Sequence, residues 1–315
     1  MKKLLVFSLA FVLIISALLL LAGCKKECAH SYEKTGTPPT CTEAGEEKFS
    51  CTKCDYYYTT KIEATGVHNV QNGVCTVCGG RESTPGLEYS QNDDGTYTVT
   101  GIGTCTETEI VIGIYNNRDV TTIGDQAFYN CFKLTSIELP NSLTTIGYNA
   151  FYGCDSLTSI VIPKGVTAIG DSAFSGRTSL TSITVADDNK NYKSVDGNLY
   201  SKDGKTFIQY AMGKADTTFA VSEGVTTIGE WAFYNCTSLK SIDLPNSLTT
   251  IGDDAFSYCT SLESIELPDS LTTIGDGAFS LCTSLTIYCE VAEKPSGWSD
   301  YWNSGRPVVW GYTGE

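Results

Sequence analysis

The chain has 315 residues, 41% of them hydrophobic, with fourteen cysteines, two histidines and a formal net charge of −15 at neutral pH. From Thr84 onward, twelve Lys and Arg stand against twenty-eight Asp and Glu, and a surface so acidic repels phosphate backbones and excludes nucleic acid as a partner. No G-x-S-x-G, P-loop or dinucleotide fingerprint occurs, and no histidine lies beyond residue 68, so the chain is not expected to be an enzyme.

The chain opens with "MKK", a basic start, followed by the apolar run "LLVFSLAFVLIISALLL" and the small-residue stretch "LAGC" ending at Cys24. This order reads as a secretory signal over residues 1–23, with an uncleaved membrane anchor as the alternative. "LAGC" resembles the lipobox of bacterial lipoproteins. The resemblance implies a diacylglycerol on Cys24, cleavage before it, and a membrane partner. Two acyl chains meet the requirement for stable anchoring. The expected location is the extracellular face of a bacterial cell envelope.

Residues 24–80 concentrate Cys28, His30, Cys41, Cys51, Cys54, His68, Cys75 and Cys78. Tetrahedral zinc takes four Cys or His ligands, so eight would fill two sites. "CTKC" and "CTVC" are C-x2-C pairs, a spacing that aims two thiolates at one metal from a tight turn. The segment is poor in apolar residues, and a structural zinc would supply folding energy that its core cannot. Disulfides are the alternative in an extracellular compartment. The segment is also similar to small Cys/His modules of surface proteins from anaerobic bacteria. That similarity implies a first unit of His30, Cys41, Cys51 and Cys54, and a shortened second unit of His68, Cys75 and Cys78 that Cys28 would complete. "RESTPG", residues 81–86, reads as a linker.

Residues 87–119 show strand alternation and a turn at Asp94-Gly95, expected of a β-rich N-terminal cap. From 120 to 288 the chain repeats itself. Ile123, Ile146 and Ile169 are 23 residues apart, as are Ile228, Ile251 and Ile274. A fixed period in the twenties signals a solenoid. Phe128, Phe151, Phe174, Phe233, Phe256 and Phe279 form one column, and Leu134 to Leu285 and Ile137 to Ile265 form others. "TSIEL" and "SLTTI" alternate as strands do. "GDQAFYNC" between them suits a single helical turn, with Asp125 where an N-cap would sit. The acidic column that Asp125 begins (Asp171, Glu230, Asp253, Asp276) is read as capping rather than as a calcium site. The cysteine column, Cys131, Cys154, Cys236, Cys259 and Cys282, is read as small buried hydrophobes rather than disulfides.

The third repeat is interrupted at about 186–221, where "LYSKDGKTFIQY" spells a hairpin around Asp203-Gly204. Residues 289–315 carry Trp298, Trp302 and Trp310, expected to close the end coil as a cap. The fold class is therefore a β-rich repeat solenoid of leucine-rich-repeat type with short helical turns, behind a small metal- or disulfide-stabilised module.

"LTSIELPNSLTTIGYNAFYGCDSL" resembles the BspA-type leucine-rich repeat, and the match runs from Gly86 to about Gly311. Members are surface proteins, some linked to adhesion, which implies a binding or adhesive role toward a protein or glycan ligand. A non-catalytic spacer or scaffold, or surface zinc capture by the Cys/His segment, are the alternatives. Serines at 136, 159, 182, 241 and 264 offer a hydrogen-bonding face. Tyr129, Tyr152 and Tyr234 are read as cover for the turns, with an aromatic binding strip as the alternative.

Overall fold

The computed structural model describes residues 32–37, 39–41, 43–51, 57–62, 64–176 and 179–314. Residues 1–23, expected to be a signal, lie outside the described residues, with Cys24, Cys28, His30, Cys54 and Arg177, as does the side chain of Cys51. The chain divides into two compact units, Met1–Thr65 and Gly66–Glu315.

In the first unit, strands Tyr32–Thr37, Gly45–Cys51 and Tyr57–Ile62 form an antiparallel meander in chain order. Cys41 sits in the connection between the first two strands. There the Thr40 N–H donates to the Glu43 carbonyl at 2.9 Å, and the Glu43 N–H donates to Thr40 Oγ1 at 3.0 Å.

The second unit is a β-solenoid. Ile123 pairs with Ile146 and Ile146 with Ile169 in one parallel ladder. Ile228, Ile251 and Ile274 do the same in another. Each 23-residue repeat is therefore one coil. A second set of parallel ladders carries the "TSIEL" strands, with Ser159–Ile162 on Ser182–Val185 and Ser241–Asp243 on Ser264–Leu267. Along Ser264–Leu267, Ile265 and Leu267 are buried and Glu266 is exposed, as period-two alternation requires.

The phenylalanine column is a stack. Phe128 and Phe151 lie parallel with ring centroids 5.4 Å apart, and Phe233, Phe256 and Phe279 follow at 5.0 and 5.2 Å. All five rings are buried, so the column is the spine of the core. Threonine explains the polar half of the repeat. Thr144 Oγ1 donates to the Thr121 carbonyl at 3.0 Å, and Thr249 Oγ1 to that of Thr226 at 3.0 Å, tying each coil to the one before. The "IG" glycines answer to how closely coils approach. A Cβ on Gly252 would stand 2.6 Å from the Glu230 amide nitrogen.

No helix occurs among the described residues, so the helical turn expected over "GDQAFYNC" is corrected. Gln126 and Asn130 adopt φ of 58° and 57°, which breaks any right-handed helix twice within five residues. Backbone donors alternate instead. The Ala127 and Tyr129 N–H groups close tight turns onto Gly124 and Gln126, while those of Gln126, Phe128 and Asn130 donate to Tyr148, Ala150 and Tyr152 of the next coil. Asp125 is likewise no cap of its own turn. Its Oδ1 accepts the Tyr148 N–H of the following coil at 2.8 Å, and Asp253 does the same for Asp276.

The ends and the interruption are built from the same parts. Glu88–Gln91 and Tyr97–Gly101 form an antiparallel hairpin that pairs onto Arg118–Ile123. Arg81–Gly86, expected as a linker, is instead hydrogen-bonded to the first coil. The Ser83 N–H donates to the Ile114 carbonyl at 2.9 Å, and Thr84 Oγ1 accepts from the Val111 N–H at 2.8 Å. Covering the edge of the sheet satisfies backbone groups a free linker would leave exposed. The insert forms strands Asn198–Ser201 and Thr206–Gln209 around Asp203-Gly204. The second strand pairs in parallel with Thr227–Ile228, so the hairpin supplies a substitute coil. At the other end Trp298 and Trp302 are buried, and Trp302 meets the Phe279 ring edge-on at 5.8 Å.

Candidate functional site

Of the eight predicted metal ligands, the second unit brings together His68, Cys75 and Cys78. Their ligand atoms lie within 4.8 Å of one another. "CTVC" positions the two thiols by a turn in which the Gly79 N–H donates to the Cys75 carbonyl at 2.9 Å. His68 is fixed by its own backbone, whose N–H donates to the Asn117 carbonyl at 2.8 Å. The remaining described members, Cys41 and the backbone of Cys51, belong to the first unit.

The imidazole is oriented at both nitrogens. His68 Nδ1 faces Cys78 Sγ at 3.4 Å, and Nε2 meets Asp119 Oδ1 at 3.0 Å. Nitrogen and sulfur held by one tetrahedral zinc stand about 3.5 Å apart, so the pair already has the spacing of two ligands. A carboxylate on the far nitrogen fixes the tautomer with the proton at Nε2 and leaves Nδ1 to bind metal. His68 and Cys75 are buried while Cys78 is exposed. Burial pushes the Cys75 thiol up, but hydrogen bonds from the Cys78 and Val77 backbone and from His68 outweigh it and bring it down to about 6. A thiolate at neutral pH is the form a metal takes. Asp119 was not among the sequence candidates, because it lies 51 residues from His68 and carries no motif.

The repeat cysteines are chemically different. Cys154, Cys236, Cys259 and Cys282 are buried free thiols. Each of three donates to a carbonyl of the preceding coil: Cys154 to Phe128 at 3.2 Å, Cys259 to Phe233 at 3.1 Å and Cys282 to Phe256 at 2.9 Å. Burial pushes the Cys154 thiol up to about 12 and Cys259 well above the ordinary range. These are packing groups with a hydrogen-bonding sulfur, not nucleophiles.

The solenoid offers a polar sheet face. Glu138, Asp243 and Glu266 are exposed on it, and Ser136 and Ser159 beside them are exposed as well. Part of this face is engaged, since Arg81 pairs with Glu138 at 2.7 Å and Lys240 with Glu263 at 3.3 Å.

Residues 105–203 and 209–290 match the model of the BspA type leucine rich repeat region in six copies. Among solved structures, the chain is similar to the pneumococcal vaccine antigen PcpA, with 25% identity and a TM-score of 0.52, covering 64% of this chain and 55% of that one. The chain thus spans about half the length of that antigen. A leucine-rich repeat protein from Eubacterium ventriosum matches at 24% identity and TM-score 0.48, over 72% of this chain and 77% of that one. A leucine rich cell surface protein from Faecalibacterium prausnitzii matches at 22% and 0.35, over 74% and 99%. No relative was found among curated proteins.

Proposed function

The chain belongs to the BspA type leucine-rich repeat family, and we propose that it is a non-catalytic, lipid-anchored surface protein that binds a protein or glycan ligand through its solenoid. The observation that carries this is the stacked coil itself. Its in-register ladders hold exposed Ser, Glu and Asp side chains on a rigid lattice, which lowers the entropy lost when a broad partner docks. The likeness to a pneumococcal antigen supports a place on the outside of a cell. Cys24 would carry the lipid that holds the chain to the membrane.

A structural zinc completes the proposal. His68, Cys75 and Cys78 would supply three of the four ligands zinc takes, with Asp119 orienting the histidine. The metal would brace the segment leading into the first coil, where few apolar side chains are available to do so. Zinc that leaves the folded protein readily would favour surface metal capture instead.

The test uses cells that make the full chain, its Cys24→Ser variant, or neither. Labelling with a fatty-acid analogue should mark the parent chain and not the variant. Adherence of cells to a matrix or to other cells should rise with the parent alone. Equal adherence of all three cell types would leave the solenoid as a spacer.

A further inference from the structure

The interruption of the repeat leaves one corner of the solenoid short of residues. In a regular coil the Ile123 carbonyl accepts the Gly147 N–H, and the Phe128 N–H then donates to the Ala150 carbonyl. In the substitute coil the Phe207 carbonyl accepts the Gly229 N–H and the Tyr210 N–H donates to Ala232, so the path between the two bonds is two residues shorter. The glycine and acidic residue that turn the regular coils have no counterpart there. A Cβ on Gly229 would stand 3.3 Å from its nearest neighbour, against 2.6 Å at Gly252 of the next coil. A cavity of ≈ 210 Å³ lies at this loosened corner, between Asp171 of the third coil and Glu230 of the fourth. Its third-coil wall is residues 169–174. Ser175, next in the chain, turns to the Gln209 side chain, its Oγ donating to Oε1 at 3.1 Å.

The walls bring oxygen atoms to this corner that the stack does not use. In regular stacking the acidic side chain accepts an N–H of the following coil, as Asp125 does from Tyr148 and Asp253 from Asp276. The shortened coil presents no such N–H to Asp171. Among the described residues, the Asp171 and Glu230 carboxylates have neither a hydrogen bond nor an ion pair. Both residues are exposed at the mouth of the cavity, and the two carboxylates repel one another. Ser172 lines the same cavity, and it is only 6% exposed. Its Oγ is buried with no hydrogen-bond partner, and a φ of 56° fixes the backbone that carries it. Buried hydroxyls are ordinarily paired, so a lone one on a cavity wall marks the place of a ligand atom.

We infer that this corner is a calcium site, with Asp171, Glu230 and the Ser172 hydroxyl as its protein ligands and water completing the shell. Calcium takes about six to eight oxygen ligands in a flexible geometry and accepts waters among them. A donor set of oxygen alone suits such a hard cation, whereas the thiols and imidazole of Cys75, Cys78 and His68 suit zinc. The cation would stand in for the N–H that the missing corner does not give Asp171, and it would offset the repulsion between the two carboxylates. It would brace the stack at the place where the 23-residue period breaks. The inference is separate from the binding role proposed above, and each can fail without the other.

The full chain, cleared of calcium with a chelator, would be titrated with calcium chloride by calorimetry and melted across the same concentrations. Calcium should bind with a Kd of about 0.1–1 mM, the range of extracellular modules, and raise the melting temperature in a saturable way. Magnesium, which demands a tighter octahedral shell, should bind more weakly. Asp171→Asn and Glu230→Gln should each weaken calcium by about tenfold or more. Ser172→Ala removes an oxygen and no charge, and it should weaken calcium less but measurably. Glu293→Gln, exposed on the C-terminal cap, should leave the response unchanged. Circular dichroism in chelator would confirm that the variants fold. The inference is overturned if calcium does no more than sodium chloride of equal ionic strength, or if Asp171→Asn and Glu230→Gln both keep the parent's response. A full response in Ser172→Ala would also overturn it, since general attraction to an acidic surface needs no hydroxyl.

Discussion

Phe207 of the insert stacks face to face on Phe233 of the fourth coil, with ring centroids 4.6 Å apart and planes parallel. The ring that begins the second half of the spine thus comes from outside the 23-residue pattern. It closes what would otherwise be an open end of the core at Ile228 and Phe233, much as Trp302 closes the other end on Phe279.

Phe207→Ala removes a fully buried ring and should destabilise the chain by about 3–5 kcal/mol. Urea unfolding followed by circular dichroism measures it. A cost below about 1 kcal/mol would mean that the insert is an appendage and not a coil.

Cys259 is fully buried and its thiol donates to the Phe233 carbonyl. Cys259→Ala should cost about 1–2 kcal/mol, the sum of a small cavity and one weak hydrogen bond. Because burial raises the thiol far above its ordinary pKa, the column should resist a thiol reagent in the native protein and react once it unfolds. Thiol counting before and after denaturation decides it, and rapid native labelling of Cys259 would contradict the packing role.

Asp119→Asn keeps the shape of the partner to His68 Nε2 but removes its charge. Zinc affinity should fall about 10- to 100-fold, measured by competition with a chromophoric chelator. His68→Ala should fall further. Unchanged affinity in both would separate this histidine from the metal.

Glu230 is exposed, yet partial desolvation of its carboxyl and the neighbouring Asp171 and Asp253 hold it above the ordinary carboxylate range. A carboxyl whose folded pKa is raised is happier protonated, so its stabilising effect is present below the unfolded value and is lost as pH rises through the folded one. Glu230→Gln should therefore raise the melting temperature by roughly a degree or two at pH 7 and have less effect near pH 4. Melting curves across that range test the sign, and a lower melting point for the variant at pH 7 would reverse it.

The columns were legible because stacking makes one residue position recur at one place in space. Ile123, Phe128 and Leu134 each announce a buried line at a fixed period. The turn conformation was not legible. "GDQAFYNC" has the length and polarity of a helical turn, and nothing in Gln126 or Trp231 signals a positive φ, which the partner coil imposes through its carbonyls. The insert hid Phe207 by breaking the period. At the metal segment, "CTVC" and His68 were visible as types and spacing. Asp119 was not, because only folding brings it to the histidine.

The most direct test of the binding role is capture by the immobilised full chain from an array of matrix proteins and neutral glycans. At least one ligand should be bound saturably and be displaced by its soluble form. No saturable ligand on either part of the array would contradict the binding role and leave a scaffold.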